Sequence, residues 1–345
     1  MTTTTNPKRH NKFLVVLLIF AAFVVGLLLG LTSCMPIDEA IAPFDRGGTQ
    51  DIRISLGSNY STALYYDLVS QTVVLQRPIT SWHIAVSGDN ADSLIYLNTA
   101  LIMSATNLGA VAWESVTTPT TTLQQQRYDA PSGDPDSTAF GRWWKADGTS
   151  TGDVYLVSLG IDESAKDLGW RKMMPVGVDA TGITIRIAML DGTNDSTITI
   201  PRNPSYDHVA LECTTKPLVV FYEPLRGTWD LLFTRYTYFF YAPDFLAYAV
   251  TGVLQSKDTR VALTDSIEFA DVVASDTLRW PPSSKRDVIG YDWKSYDIAK
   301  GVYKTDTSKV FLVRDHSGFI NKLRFLDFYD EGGSKGSPLF VLQRL

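Results

Sequence analysis

Cysteine is nearly absent from this chain of 345 residues, which contains only Cys34 and Cys213. Two cysteines supply no CxxC pair and no cysteine–histidine cluster, which argues against a cysteine-based zinc site and against a scaffold held by several disulfides. Basic charge is also scarce. Lys and Arg number 31 against 37 Asp and Glu, and the net charge of −6 argues against a nucleic-acid partner, because nucleic acids require a basic surface.

Signatures of catalysis and of cofactor binding are missing as well. The sequence contains no HExxH, no phosphate-binding P-loop and no dinucleotide fingerprint. The stretch GTSTG at 148–152 satisfies G-x-S-x-G, but a nucleophile elbow is followed by a helix, and a strand-like segment follows here. Acidic groups around Asp89, Asp134 and Asp191 lack the full calcium-loop spacing and are predicted to form turns. The sequence therefore predicts a protein that is not an enzyme.

Long apolar runs are absent too, except for one near the N-terminus. Three basic residues among the first twelve precede an uncharged apolar stretch at 13–31, which ends in Leu31-Thr32-Ser33-Cys34. A positive start, an apolar run and small residues before a cleavage point are typical of a secretory signal. The cysteine that follows makes the segment resemble a bacterial lipoprotein signal. An uncleaved signal anchor is the alternative, because the stretch is close to the ~20 residues that span a bilayer.

We therefore expect residues 1–33 to be a lipoprotein signal peptide and Cys34 to be the lipid attachment site, with palmitate among its acyl chains. Cleavage removes three basic residues and no acidic ones, so the net charge becomes −9. Two or more acyl chains hold a protein stably at a membrane. Residues 34–50, with their prolines and glycines, are predicted to be a tether between the anchor and the ectodomain.

Aromatic residues, by contrast, are abundant, with 16 Tyr, 16 Phe and 8 Trp. Together with Val, Ile and Thr they favour strands, and turn residues interrupt these strands at short intervals. Hairpins are predicted at 64–76, 183–200 and 310–329, and the one helical signal lies at 266–273. The predicted fold class is all-β, with an antiparallel β-sandwich-like ectodomain.

The predicted strands group into two regions. An N-terminal β region covers 51–215 and includes a loop-like insertion at 115–152, and a C-terminal β domain covers 216–345. Trp82 and Trp229 each stand at the head of an alternating strand, a weak internal similarity that is compatible with an internally duplicated sheet. The alternative is that such patterns recur by chance in any β protein.

The C-terminal half resembles the HmuY-type lipoproteins of Bacteroidetes. The segment from Trp229 to Tyr236 is similar to the W-D-x-x-[FL]-x-R-Y motif of that family, and four further segments follow in the family's order, at 289–296, 310–318, 321–329 and 335–340. The resemblance implies an all-β lipoprotein anchored in the outer membrane and exposed at the cell surface. It also implies haem as cargo and a TonB-dependent transporter as partner.

Members of that family clamp the haem iron between two side chains, which are His in some members and Met in others. Here no His follows Trp293 where the family places one ligand, and 258–275, the region of the other, contains neither His nor Met. The remaining candidates for cofactor binding are His208, His316, Met173 and Met174. We therefore expect a non-catalytic binding protein without the family's axial ligands, and haem binding stays open. An accessory subunit of an outer-membrane complex that has lost haem binding is the alternative.

Overall fold

The structure is a computed structural model that describes residues 48–345 together with Phe20. Apart from Phe20, the predicted signal peptide lies outside the described residues, as do Cys34 and most of the tether. Arg46–Leu345 forms a compact unit. In the part of the chain that the structure describes, none of the helices has the length and hydropathy needed to cross a membrane.

Between residues 48 and 345 the regular elements are twenty β-strands and four 3₁₀ helices, which confirms the all-β prediction. The strands are β1 (Gln50–Arg53), β2 (Thr62–Asp67), β3 (Thr72–Pro78), β4 (Ile84–Ser87), β5 (Ile95–Leu97), β6 (Ser104–Asn107), β7 (Tyr155–Ser158), β8 (Trp170–Val178), β9 (Gly182–Met189), β10 (Ser196–Pro201), β11 (His208–Glu212), β12 (Leu218–Val220), β13 (Leu231–Phe240), β14 (Leu246–Gln255), β15 (Arg260–Thr264), β16 (Lys294–Asp297), β17 (Val302–Thr305), β18 (Val310–Arg314), β19 (Ile320–Tyr329) and β20 (Lys335–Arg344). The 3₁₀ helices are Thr99–Leu101, Trp113–Ser115, Pro135–Ser137 and Ala274–Leu278.

These strands form four larger antiparallel sheets and one two-stranded ribbon. We call the sheets A (β1-β20-β19-β18-β15), B (β14-β13-β2-β3), C (β12-β11-β4-β5) and D (β10-β9-β8-β7-β6), and β16 pairs with β17. The three predicted hairpins are confirmed as β2–β3, β9–β10 and β18–β19. The predicted helix is displaced, because the 3₁₀ turn begins only at Ala274, where the Asp276 carboxylate accepts the Val273 N–H at 2.9 Å.

Strand alternation sends side chains of the two middle sheets into different cores. In sheet B, Leu64 and Tyr66 enter a core shared with sheet A, whereas Tyr65 between them faces sheet C. In sheet C, Ile84 enters a core shared with sheet D, whereas Ala85 faces sheet B. Successive residues of a strand point to opposite faces, so each middle sheet is covered on both sides. The sheets therefore stack in the order A, B, C, D.

Several pairings cross the boundary between the two predicted β regions. Strand β13 pairs with β2, and β12 pairs with β11. The division into the regions 51–215 and 216–345 stays a prediction, as does an internal duplication.

Candidate functional site

A cavity of about 270 Å³ lies between the middle sheets B and C. One of its lining residues is Ala85 on β4, a small side chain that faces sheet B, where a larger residue would occupy this space. The cavity is closed on other sides by the segments around Pro131 and Arg286. A small side chain at a position where a strand faces another sheet thus creates the space for a ligand.

Aromatic rings form one wall of this cavity. Trp82 stacks on Tyr222 with ring centroids 4.3 Å apart, and Tyr65 meets Trp229 edge-on at 5.0 Å. Burial raises the pKa of both Tyr65 and Tyr222, so their hydroxyl groups are neutral donors at physiological pH. Rings with a polar edge suit ligands that are flat and partly polar.

The carboxylates that line the cavity are all engaged within the protein. Glu223 accepts the backbone N–H of His208, and Asp207 is paired with Arg226 at 2.8 Å. Asp92 accepts the hydroxyl of Tyr96 at 3.0 Å. Asp129 accepts the N–H groups of Leu97 and Ala139, both at 2.7 Å, and burial raises its pKa to about 7.

His208 is the candidate from the sequence that lines the cavity. Its Nδ1 lies 3.4 Å from Oε2 of the buried Glu223, and its ring meets Tyr96 edge-on at 5.4 Å. A carboxylate at one imidazole nitrogen fixes the ring and leaves the other nitrogen as a ligand for a metal. This arrangement gives the cavity one oriented imidazole.

The structure places the other three candidates elsewhere. Among the described residues that line the cavity, His316, Met173 and Met174 are not found. Met173 is fully buried in the core between sheets C and D, where it fills space. Met174, its neighbour on β8, packs against a smaller cluster that includes Trp113. The four candidates are therefore not assembled around one point.

His316 belongs to a separate cluster with Asp67 and Asp230, whose potential ligand atoms lie within 4.8 Å of one another. The buried Asp230 already accepts the N–H of His316 at 2.7 Å, the Thr259 hydroxyl at 2.8 Å and the N–H of Leu68 at 2.9 Å. These donors saturate its oxygens, so the cluster acts chiefly to tie together the turns that follow β2, β14 and β18.

The turn interpretations of the remaining motifs agree with the structure. Oδ1 of Asp89 accepts the N–H two residues later at 3.0 Å, as do the corresponding oxygens of Asp134 and Asp191 at 3.0 and 2.8 Å. Ser150 of the G-x-S-x-G match accepts the N–H of Gly152 at 2.9 Å, and β7 rather than a helix follows. These motifs serve local turn geometry.

A comparison with protein families supplies the decisive finding. The family model described as HmuY protein matches residues 59–341, which is most of the chain. The chain belongs to the HmuY family. Proteins of that family are binding proteins and not enzymes. None of the curated proteins shows significant similarity to this HmuY-family chain.

Solved structures with a similar fold are distant in sequence. Apo PinO from Porphyromonas gingivitis is 10% identical, with a TM-score of 0.33 over 87% of this chain and 98% of that one. The apo HmuY analogue of Tannerella forsythia is 9% identical, with a TM-score of 0.33 and the same coverage of both chains. A candidate HmuY-like haem-binding protein from Bacteroides vulgatus is 14% identical, with a TM-score of 0.22 over 38% of this chain and 80% of that one.

Proposed function

We propose that this HmuY-family protein is a lipoprotein of the outer membrane, exposed at the cell surface, that captures a small ligand without transforming it. The observation that carries the proposal is the cavity between sheets B and C, which combines an aromatic wall with oriented polar groups. Ligand sites in proteins are mostly apolar clefts with a few fixed polar groups, and this cavity has that character. A TonB-dependent transporter is the proposed recipient of the ligand.

The volume of the cavity favours a ligand smaller than a tetrapyrrole. About 270 Å³ lies just below the ~300–1,000 Å³ that is typical of ligand pockets. Haem is the second candidate, and the observation in its favour is the imidazole of His208, which Glu223 orients at the cavity. Among the described residues that line the cavity, however, no second His and no Met supplies an opposite axial ligand.

Native mass spectrometry of the full chain, purified from its own membranes in mild detergent, tests the capture of a ligand. We expect a non-covalent small-molecule adduct on the wild type. Ala85→Leu fills the cavity and should lose the adduct, whereas Ala262→Leu, a buried alanine of β15 outside the cavity, should retain it. Thermal melts identify either variant if it does not fold. A wild type without an adduct would contradict capture and favour the accessory-subunit alternative.

Titration with haemin, followed by visible absorption, tests the second candidate. We expect weak binding through aromatic contacts and no one-to-one low-spin spectrum, because His208 lacks an axial counterpart at the cavity. A sharp one-to-one low-spin spectrum would contradict this expectation. Alanine substitutions at His208, His316, Met173 and Met174 would then identify the ligands.

A further inference from the structure

Positive charge at the cavity is not fully compensated by the protein. Five basic side chains line it against four acidic ones, although the chain as a whole carries a net charge of −6. Each of the four carboxylates has the protein partners described above. Within residues 48–345, by contrast, neither Arg77 nor Arg286 lies within salt-bridge distance of a carboxylate. The cavity is therefore lined by two guanidinium groups that form no salt bridge with a carboxylate of the described residues.

Arg286 is held in place by contacts that leave its terminal nitrogens available. Its backbone N–H donates to Ser132 at 2.9 Å, its Nε donates to the carbonyl of Gln255 at 3.3 Å, and its methylene groups pack on Gly133. Gly133 has φ +73°, and a Cβ there would come within 2.9 Å of the arginine stem. The approach of Arg286 to the cavity thus depends on a glycine.

Arg77 approaches the same rings from the rim of sheet B. It stands on the edge strand β3 opposite Ala63 of β2, and both residues line the cavity. Burial and the charge of Glu223 raise the pKa of Tyr65, whereas the charges of Arg286 and Arg77 lower it. Both guanidinium groups are therefore within electrostatic range of the Tyr65 ring. The two charges therefore converge on one wall of the cavity.

We propose that the cavity binds a small aromatic carboxylate, with its ring against Tyr65, Trp82 and Tyr222 and its carboxylate at Arg77 and Arg286. This inference rests on the proposed capture function and names the ligand class of the same site. Guanidinium matches a carboxylate in geometry and can bind it through two parallel hydrogen bonds. The aromatic wall supplies apolar contact, and the volume admits one or two fused rings.

Two probes that share a ring and differ in charge test the ligand class. Indole-3-acetate and indole-3-ethanol are titrated calorimetrically into the detergent-solubilised full chain. We expect indole-3-acetate to bind at least tenfold more tightly, which corresponds to about 1.4 kcal/mol. Raising the ionic strength should narrow that difference, since the charges at the rim are exposed to solvent.

Substitutions then locate the contact. Arg286→Gln and Arg77→Gln should each reduce the preference for indole-3-acetate at least threefold and leave indole-3-ethanol nearly unchanged. Arg142→Gln is the matched control, because Arg142 is an exposed arginine that contacts Trp144 and does not line the cavity. Arg286→Lys retains a positive charge but lacks the planar guanidinium group. Its preference for indole-3-acetate should therefore lie between those of the wild type and Arg286→Gln. Thermal melts show whether each variant folds. Arg77 is exposed on an edge strand, so Arg77→Gln is expected to leave the fold intact.

The outcomes separate this inference from the function on which it rests. Equal affinity for both probes, or a preference that survives both glutamine variants, overturns the carboxylate class. The absence of binding by indole-3-acetate overturns it as well. In each of these cases a native-mass adduct that Ala85→Leu abolishes still supports capture, with a ligand of another class.

Discussion

At the scale of single residues, His83 shows how burial alters the chemistry of one side chain. It is fully buried, its Nδ1 accepts the backbone N–H of Cys213 at 3.2 Å, and its Nε2 has no partner within the described part of the chain. Burial lowers the pKa of His83 to about 4. Glu212 lies 3.7 Å from Nδ1, but that nitrogen is an acceptor, so the contact is not an ion pair at neutral pH.

This histidine predicts a loss of stability in acid. Its pKa is about 4 in the folded protein and 6.5 in the unfolded chain, so between these values the unfolded chain binds the proton more readily. The free energy of unfolding should therefore fall as the pH drops from 6.5 to 4, with a contribution of roughly 3 kcal/mol from this group. Denaturant unfolding across that range measures it.

His83→Asn provides the control for that measurement. The amide oxygen can replace Nδ1 as an acceptor for Cys213 but does not titrate. The variant should lose the part of the pH dependence of stability that His83 contributes. Other groups such as Asp129 contribute equally to both proteins, so the difference between the two proteins reports His83 alone. If the free energy of unfolding changes with pH by the same slope in both proteins, His83 is not responsible for the loss of stability in acid.

Only a few of the residues that line the cavity could be identified from the sequence alone. His208 was identifiable as a candidate because imidazoles are few, and the local turn motifs at Asp89, Asp134 and Asp191 were predicted from their own spacing. Arg286, Glu223 and Tyr222 gave no such signal. They reach the site only because the segments after β12 and before β16 meet β2 and β4 in space, which is information that no short segment contains.

At the scale of elements, β19 combines a local hairpin with an irregular register. The ladder with β20 shifts between Phe325 and Asp327 and again between Asp327 and Tyr329. Strict alternation would place Phe325 and Phe328 on opposite faces, yet both are fully buried in the core between sheets A and B. A β-bulge changes which face a side chain occupies, and sequence periodicity does not show it.

Phe325→Ala tests the packing of that strand. The ring of Phe325 stacks on Trp293 at 3.9 Å and is fully buried, so its removal should lower the free energy of unfolding by about 3–5 kcal/mol. Phe319→Ala serves as the matched control, since Phe319 is 43% exposed and its ring contacts Arg344 at the surface. Its expected cost is about 1 kcal/mol or less. If chemical denaturation shows equal losses of unfolding free energy for Phe325→Ala and Phe319→Ala, the assigned core position of Phe325 is wrong.

Deletion of residues 319–345 should abolish cooperative folding. It removes β19 and β20, which leaves β18 and β1 without partners on these sides and takes Phe325, Phe328 and Phe340 from one core. Circular dichroism melts of the truncated chain should show no cooperative transition. A chain without the edge strand β1 alone should still melt cooperatively, and an unchanged melt after the longer deletion would refute this assignment.

At the scale of the whole molecule, the order of the sheets was not accessible from the sequence. Each predicted hairpin depended on a short turn between alternating segments, and all three formed. The pairing of β2 with β13 joins residues that are far apart in the chain. The resemblance to the family covered the C-terminal segments most clearly, and the family match extends it to 59–341.

The proposed anchor is tested on the intact protein in cells. Cys34→Ala removes the thiol that would carry the acyl chains, so metabolic labelling with a fatty acid should mark the wild type and not the variant. The variant should accumulate as an uncleaved precursor in the inner membrane or be released by another cleavage. Cys213→Ala is the control, because Cys213 is buried and its removal should leave labelling intact. Equal labelling of wild type and Cys34→Ala would refute lipidation at this residue.

The position of β1 has a mechanical consequence for a protein held at its N-terminus. Strand β1 lies at the edge of sheet A and pairs with β20 from Gln50 opposite Leu342 to Arg53 opposite Leu339. Three of its four residues are exposed, whereas Ile54 just after it is buried. If the proposed tether transmits a pulling force, the exposed pairs of β1 are expected to open before the buried Ile54 is displaced. Four released residues lengthen the tether by about 13 Å, at roughly 3.3 Å per residue, while the core remains intact. The edge strand would thus extend before the core is disturbed when the ectodomain is drawn away from the membrane.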